Sequence, residues 1–377
     1  MAREIFNLAL RTIRGDVLVR QHCSRLADVL HIQQETINLA CYDRVFVCGA
    51  GKASDVMAEA LADLVEDRLN GGLIVTKKPS AELPHSIEVL EAGHPVPDAR
   101  SLSAGKRMLE LAAKCGERAL VLFALSGGAS ALMDSLVEPL SLGDLQTLNH
   151  RLLSSGAPIS EINQERKRIS RIKNGGLARA FAPATLVVLV LSDVLGDNLD
   201  AIGSGPFWIP GGPAHLILAN ARTAAEAART AAESLGLQVS VAPEPFTEEA
   251  TALGQQLGET AKRLDSGQCF IAYGESALQI KNSQGKGGRC QHAALAAAIE
   301  IGGIPNTAIL VVGTDGTDGP TDVAGALVTG QSVTDMPQSN RLLEENDSYA
   351  FHKHAATHVH TGPTGTNLNE LAILVRT

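Results

Sequence analysis

Short apolar runs that stop at glycine, serine or aspartate recur along this chain, separated by segments with the apolar spacing of helices. The runs cover 45–48 before Gly49, 73–75, 119–125 before Ser126-Gly127-Gly128, 186–191 before Ser192-Asp193, 269–272, and 309–312 before Gly313. Apolar runs of this length without alternation suit strands buried on both faces, the condition of a parallel sheet covered by helices. Loops at the carboxyl ends of such strands carry the functional groups. Nearly every motif below is therefore expected on one rim. Aromatic residues make up 3% of the chain, so its cores are expected to be built from Ala, Leu, Val and Ile.

A chain of 377 residues exceeds what one compact domain usually holds. Residues 213–265 read as helices with a break marked by Pro243 and Pro245. The expected division is a domain over 1–245 and a second, smaller one over 246–377, with 371–375 as a final strand.

The formal charge of −9 argues against a nucleic-acid surface, which needs phosphate-neutralising cations in excess. The dense basic run of Arg166, Lys167, Arg168, Arg171 and Lys173 reads either as a solvated helix face or as an anion-facing surface. Six cysteines are scattered without a CxxC pair, which predicts reduced thiols. The first residues lack a signal-peptide core, and no apolar run approaches the roughly 18 residues of a membrane span. A cytoplasmic protein without membrane or nucleic-acid partners, monomeric or homodimeric, is expected.

The strand-end motifs carry the chemistry. Gly49-Ala50-Gly51-Lys52 opens a helical stretch, which sets backbone N–H groups and a positive helix end beside a lysine. It is not a Walker A loop, because Phe46 stands where that loop needs glycine. Ser126-Gly127-Gly128-Ala129-Ser130 repeats the logic with two hydroxyls that can donate to anionic oxygens. Asp193, in Ser192-Asp193-Val194-Leu195-Gly196-Asp197, and Asp315 and Asp318, within 314–322, offer oxygen ligands suited to Mg²⁺. Gly285-Lys286-Gly287-Gly288-Arg289 can lay an arginine across a transferring phosphoryl group. His352, His354, His358 and His360 read as incidental rather than as a metal cluster, and Cys290 with His292 would diverge on a helix. Together these motifs supply the parts of phosphoryl transfer.

Their order resembles the class II glycerate 2-kinase family, also called the MOFRL family and often labelled hydroxypyruvate reductase. The resemblance spans nearly the whole chain. It rests on the motifs above together with Gly93-His94-Pro95-Val96-Pro97-Asp98, Gly203-Ser204-Gly205-Pro206 and Thr361-Gly362-Pro363-Thr364-Gly365-Thr366-Asn367. It implies a Rossmann-like, mostly parallel N-terminal α/β domain, a smaller MOFRL-type α/β domain, and an active site in the cleft between them. It further implies phosphorylation of the 2-hydroxyl of D-glycerate, giving 2-phosphoglycerate, with ATP and Mg²⁺. Lys52 and Arg289 become the catalytic candidates. Gly49, Gly51, Ser126, Gly127, Gly128, Ser130, Lys173, Gly287 and Gly288 are candidates for holding substrate and phosphate, and Asp193, Asp315 and Asp318 for holding the metal.

Departures from the family pattern fall near the expected substrate site, one of them where the family's RKHLSxIKGG is here Arg166-Lys167-Arg168-Ile169-Ser170-Arg171-Ile172-Lys173-Asn174-Gly175. The family's GGRNQE is here Gly287-Gly288-Arg289-Cys290-Gln291-His292, and its SGGET becomes Ala272-Tyr273-Gly274-Glu275-Ser276. Changed polar groups near a substrate alter specificity by large factors, so a hydroxy acid other than D-glycerate is a possible acceptor. Two other readings compete. An NAD(P)H-dependent hydroxypyruvate reductase would need a GxGxxG fingerprint, and 49–54 reads GAGKAS. A catalytically idle nucleotide or sugar-acid sensor would fit the altered loop.

Overall fold

The computed structural model describes residues 1–154 and 159–377. The chain forms two compact units, one over Gly15–Leu218 and one joining Met1–Arg14 to Ala219–Thr377.

The unit over Gly15–Leu218 opens with the helix Gly15–His22, followed by a small antiparallel meander, β1 (Cys23–Leu26), β2 (Val29–Ile32) and β3 (Glu35–Asn38). Its main sheet contains β4 (Arg44–Ala50), β5 (Leu69–Thr76), β6 (Ile87–Glu91), β7 (Ala119–Leu125), β8 (Thr185–Leu191) and β9 (Ala214–Ala219). The spatial order is β6-β5-β4-β7-β8-β9, with β5 and β7 both parallel to β4, β6 to β5 and β8 to β7. Counted from β4, this is the doubly wound order 3-2-1-4-5-6. All seven residues of β7 are buried, as are six of seven in β4, which explains why these strands are continuous apolar runs. The order reverses between β4 and β7, so the carboxyl ends of these two strands flank the crevice where doubly wound folds bind ligands.

The other unit holds a mixed sheet of β10 (Gln238–Val241), β11 (Gln268–Gly274), β12 (Thr307–Gly313), β13 (Gly325–Thr329), β14 (His358–Val359) and β15 (Glu370–Arg376). Its order is β10-β11-β15-β12-β13-β14. Only the β10–β11 pair is parallel. The parallel sheet expected from the strand pattern therefore holds for the first unit and not for this one. Motifs lie on two separate rims rather than one.

The division of the chain also differs from the expected 245/246. The edge strand β10 pairs with β11, and the helix Ala221–Ser234 packs on both, so 219–245 belongs with the second sheet. The helix Ala2–Thr12 packs on Ala221–Ser234 and joins this unit too. The core is alanine-built, as the low aromatic content required: Ala293, Ala294, Ala297 and Ala298 of the helix Arg289–Glu300 are fully buried. No helix among the described residues is long and apolar enough to cross a membrane.

Candidate active site

At the β4/β7 crevice the two glycine loops lock onto each other. The Ser126 N–H donates to the Ala50 carbonyl at 3.1 Å and the Lys52 N–H to the Gly127 carbonyl at 2.9 Å, while the Ser126 hydroxyl accepts from the Ala53 N–H at 3.0 Å. Gly51 has φ of +136°, and a Cβ there would lie 2.1 Å from Ser126 Oγ, so only glycine fits. Gly49 lies at the end of β4, against Ala124 of β7. Lys52 precedes the helix Ser54–Leu64, whose dipole adds positive potential beside the ammonium.

Gly128 (φ of +88°) brings a third element in. A Cβ there would meet the His94 ring at 3.0 Å and the Lys52 stem at 3.3 Å. His94 belongs to the 93–98 motif, whose Asp98 caps the helix Ala99–Ala112 through a reciprocal pair of bonds with Ser101. The motif's only chemical signal in the sequence is a histidine before two prolines, which by itself points to no site.

Ser130 faces the other way, its hydroxyl 2.9 Å from that of Ser204. Ser204 and the neighbouring Gly203 and Gly205 all take positive φ, and the loop's carbonyls accept from Asn174 and Gly175. Lys173 is not presented to a ligand at all. It is 1% exposed and paired with the equally buried Asp134, which also accepts from Ser170 Oγ at 2.5 Å. Burial pulls the ammonium pKa down, opposed by Asp134. The rest of the basic run is largely spent: Lys167 pairs with Asp200 at 2.6 Å and Arg168 with Glu165 at 2.7 Å.

A second polar rim lies on the mixed sheet. In register, Glu370 at the start of β15 stands opposite Gly274 at the end of β11 and opposite Gly313 at the end of β12. Glu370 is 2% exposed. Its Oε2 accepts from the Ser276 N–H at 3.1 Å and hydroxyl at 2.7 Å, and its Oε1 lies 2.9 Å from Arg289 Nε. Arg289 also donates to Glu275 at 2.8 Å and keeps part of its surface exposed. Burial alone would lower the guanidinium pKa, but Glu370 and Glu275 outweigh it and raise it.

The glycines before Arg289 are demanded by close approach. A Cβ on Gly287 would lie 2.1 Å from Ser348 Oγ, and one on Gly288 would lie 2.2 Å from the Asp318 carboxylate. Asp318 caps the helix Arg289–Glu300, accepting from Cys290 N–H at 3.0 Å, from Gln291 N–H at 2.8 Å and from Gln291 Nε2 at 2.9 Å. Burial raises its pKa against these donors. Such a carboxylate fixes the arginine's helix and is poorly placed to hold a metal. Asp315 is only partly buried, and its oxygens accept from the Thr317 N–H and hydroxyl, each at 2.9 Å. Asp193, partly exposed just beyond β8, belongs to the other unit. Among the described residues no three His, Cys, Asp or Glu side chains gather as a metal site.

The altered residues after Arg289 point inward. Cys290 is 1% exposed within the core, where burial holds its thiol pKa well above the usual value. His292 is 3% exposed, with Nε2 3.0 Å from Thr251 Oγ1. Neither forms part of the surface that Arg289 presents. His352 is fully buried between Thr357 Oγ1 at 2.7 Å and the Gln291 carbonyl at 2.8 Å, with a pKa pushed down to about 3 by burial, so it acts as a structural tie.

Comparison with known proteins accords with this arrangement. Residues 1–235 match the family described as a domain of unknown function (DUF4147), and residues 268–370 match the MOFRL family. The chain is 36% identical to a D-glycerate 2-kinase of Thermotoga maritima over 90% of its length and 92% of the relative's. It is 32% identical to a glycerate 2-kinase of Pyrococcus horikoshii over 89% and 88%. The crystal structure of glycerate kinase from Thermotoga maritima superposes with a TM-score of 0.83 at 33% identity, covering 99% of this chain and 98% of that one. The doubly wound unit carrying the Lys52 loop and the MOFRL unit carrying Arg289, together with these relatives, thus place the chain in the class II glycerate 2-kinase family.

Proposed function

We propose that this protein is an ATP- and Mg²⁺-dependent kinase that phosphorylates the 2-hydroxyl of D-glycerate or a closely related hydroxy acid. The observation that carries the proposal is the interlocked pair of glycine loops at the β4/β7 crevice, which fixes Lys52 where a doubly wound sheet binds its ligand.

In this reading Lys52 neutralises phosphate or carboxylate oxygens, and the helix Ser54–Leu64 adds its N-terminal potential. Arg289, oriented by Glu275 and Glu370, stabilises the charge that moves onto the departing diphosphate as the hydroxyl oxygen bonds to the γ-phosphorus. Mg²⁺, when bound, neutralises phosphate oxygens while keeping most of its waters, so one or two carboxylates suffice for it. Asp193 and Asp315 fit that part by exposure, and Asp318 does not. A reductase finds less support, because the 49–54 loop lacks the third glycine of a dinucleotide fingerprint and carries a lysine.

The test is turnover of D-glycerate with ATP and Mg²⁺, coupled to enolase, which accepts 2-phosphoglycerate directly. ADP formation with enolase-competent product supports the proposal. ATP left unconsumed with a panel of hydroxy acids, together with NADH oxidation by hydroxypyruvate, would replace it with the reductase reading.

A further inference from the structure

The N-terminal helix Ala2–Thr12 buries Ala2, Ile5, Phe6 and Ala9 against its unit. At its flank Arg3, Asn7 and Arg11 recur every four residues, so they stand one above another on the helix surface. Arg14 continues beyond its end. Opposite them lies the segment that precedes β15, with His360, Thr361 and Thr364. The space between is a groove of about 380 Å³, within the range of small-ligand sites.

Three facts set this groove apart. No carboxylate lines it, although the chain carries 41 acids against 32 lysines and arginines. Many other arginines are paired with acids, among them Arg20 with Asp16 and Asp63, Arg107 with Glu88 and Glu110, and Arg118 with Asp43. Arg3 and Arg11 make no ion pair among the described residues. Finally, the hydroxyls of Thr361 and Thr364 on the opposite wall donate to the Gly362 and Thr314 carbonyls, so the charge of the groove comes from its arginines.

We propose that this groove binds a small polyanion carrying at least two phosphate groups. Eight residues separate Arg3 from Arg11, about 12 Å of helix rise, which a single phosphate would span poorly and a chain of phosphoryl groups spans well. A nucleic acid is disfavoured by the overall negative charge, which would repel a long polyanion beyond the groove. The wall of the groove continues into the second polar rim: Thr364 Oγ1 donates to the Thr314 carbonyl at 2.5 Å, and the same segment runs on to Glu370, the partner of Arg289. The site is independent of the kinase reading, since none of its side chains was placed in that chemistry.

Calorimetric titration of the full chain with inorganic tripolyphosphate tests it, comparing wild type, Arg3→Gln with Arg11→Gln, and Lys52→Met. Binding that weakens at least tenfold in the double variant, persists in Lys52→Met and fades with added salt is expected. The melting temperature of the double variant should match wild type, because both arginines are exposed. The proposal is overturned by unchanged affinity in the double variant, by loss of all binding in Lys52→Met, or by no wild-type binding at millimolar tripolyphosphate.

Discussion

Arg289 Nε lies 2.9 Å from Oε1 of Glu370, the residue that opens β15 between the carboxyl ends of β11 and β12. The arginine thus takes its position from the sheet as well as from its own helix. Burial pushes the Glu370 carboxyl up to about 7, opposed by Arg289 and by the Ser276 donors. Between its ordinary 4.5 and about 7 the folded state holds a proton that the unfolded chain has lost, so this group's contribution to stability falls as pH rises through that window. The full ion pair with Arg289 forms above it. Wild-type kcat/KM should therefore show an acid-side limb near pH 7 that Glu370→Gln lacks. Identical pH profiles for the two enzymes would detach Glu370 from the positioning of Arg289.

Lys52 projects from a strand-end loop and its charge is not part of the packed core, so Lys52→Met should remove activity and leave the fold intact. A fall in kcat on the order of 10³ is expected, as for other preorganised charge stabilisers. Arg289→Ala should cost a similar factor, roughly 10³, by analogy with arginine fingers. Steady-state kinetics beside thermal melts separate the two effects, and a Lys52→Met enzyme of normal kcat would take the lysine out of the mechanism.

Lys173 behaves differently because its partner is inside the protein. Removing one member of a buried pair strands the other, so Lys173→Met should cost about 3–5 kcal/mol. Replacing both, Lys173→Met with Asp134→Leu, should recover part of that loss. Urea unfolding reads these changes. If Lys173→Met instead raised KM at unchanged stability, the residue would be a ligand after all.

Turnover should stop in excess EDTA and return with Mg²⁺ or Mn²⁺, both hard ions suited to oxygen ligands. Asp193→Asn should raise the Mg²⁺ concentration needed for half-maximal rate. Asp318→Asn should show mainly a lower melting temperature, since that carboxylate caps a helix. A metal requirement altered by Asp318→Asn alone would reverse this assignment.

The contrast between these residues marks what the sequence could tell. Strands buried on both faces announce themselves as apolar runs, so β4, β7, β8, β11 and β12 were legible. The edge strand β10 alternates between exposed and half-buried positions over four residues and gives no such run. The first domain's parallel order follows from the alternation with helices, whereas the reversal of β15 between β11 and β12 depends on a long connection that leaves no local pattern. Glycine loops and Lys52 were visible as motifs. Glu370 and Asp134 were not, because a single acid at a strand edge looks ordinary until its partner, about 80 residues back for Glu370 and about 40 ahead for Asp134, is seen beside it.

The residues after Arg289 suggested a pocket reshaped for another acid, and the helix turns that argument around. Arg289 is the first residue of Arg289–Glu300 and keeps part of its surface exposed, whereas Cys290 and His292 are buried in the layer beneath. Cys290 sits in the apolar core and His292 against Thr251 of the neighbouring helix Ala250–Arg263. Restoring the family residues, Cys290→Asn with His292→Glu, would place an amide and a carboxylate among buried groups, each costly without partners. The expected result is a lower urea midpoint and an unchanged ranking of hydroxy acids by kcat/KM. A shift of that ranking toward D-glycerate, at wild-type stability, would show that substrate choice is read through this helix despite its buried face.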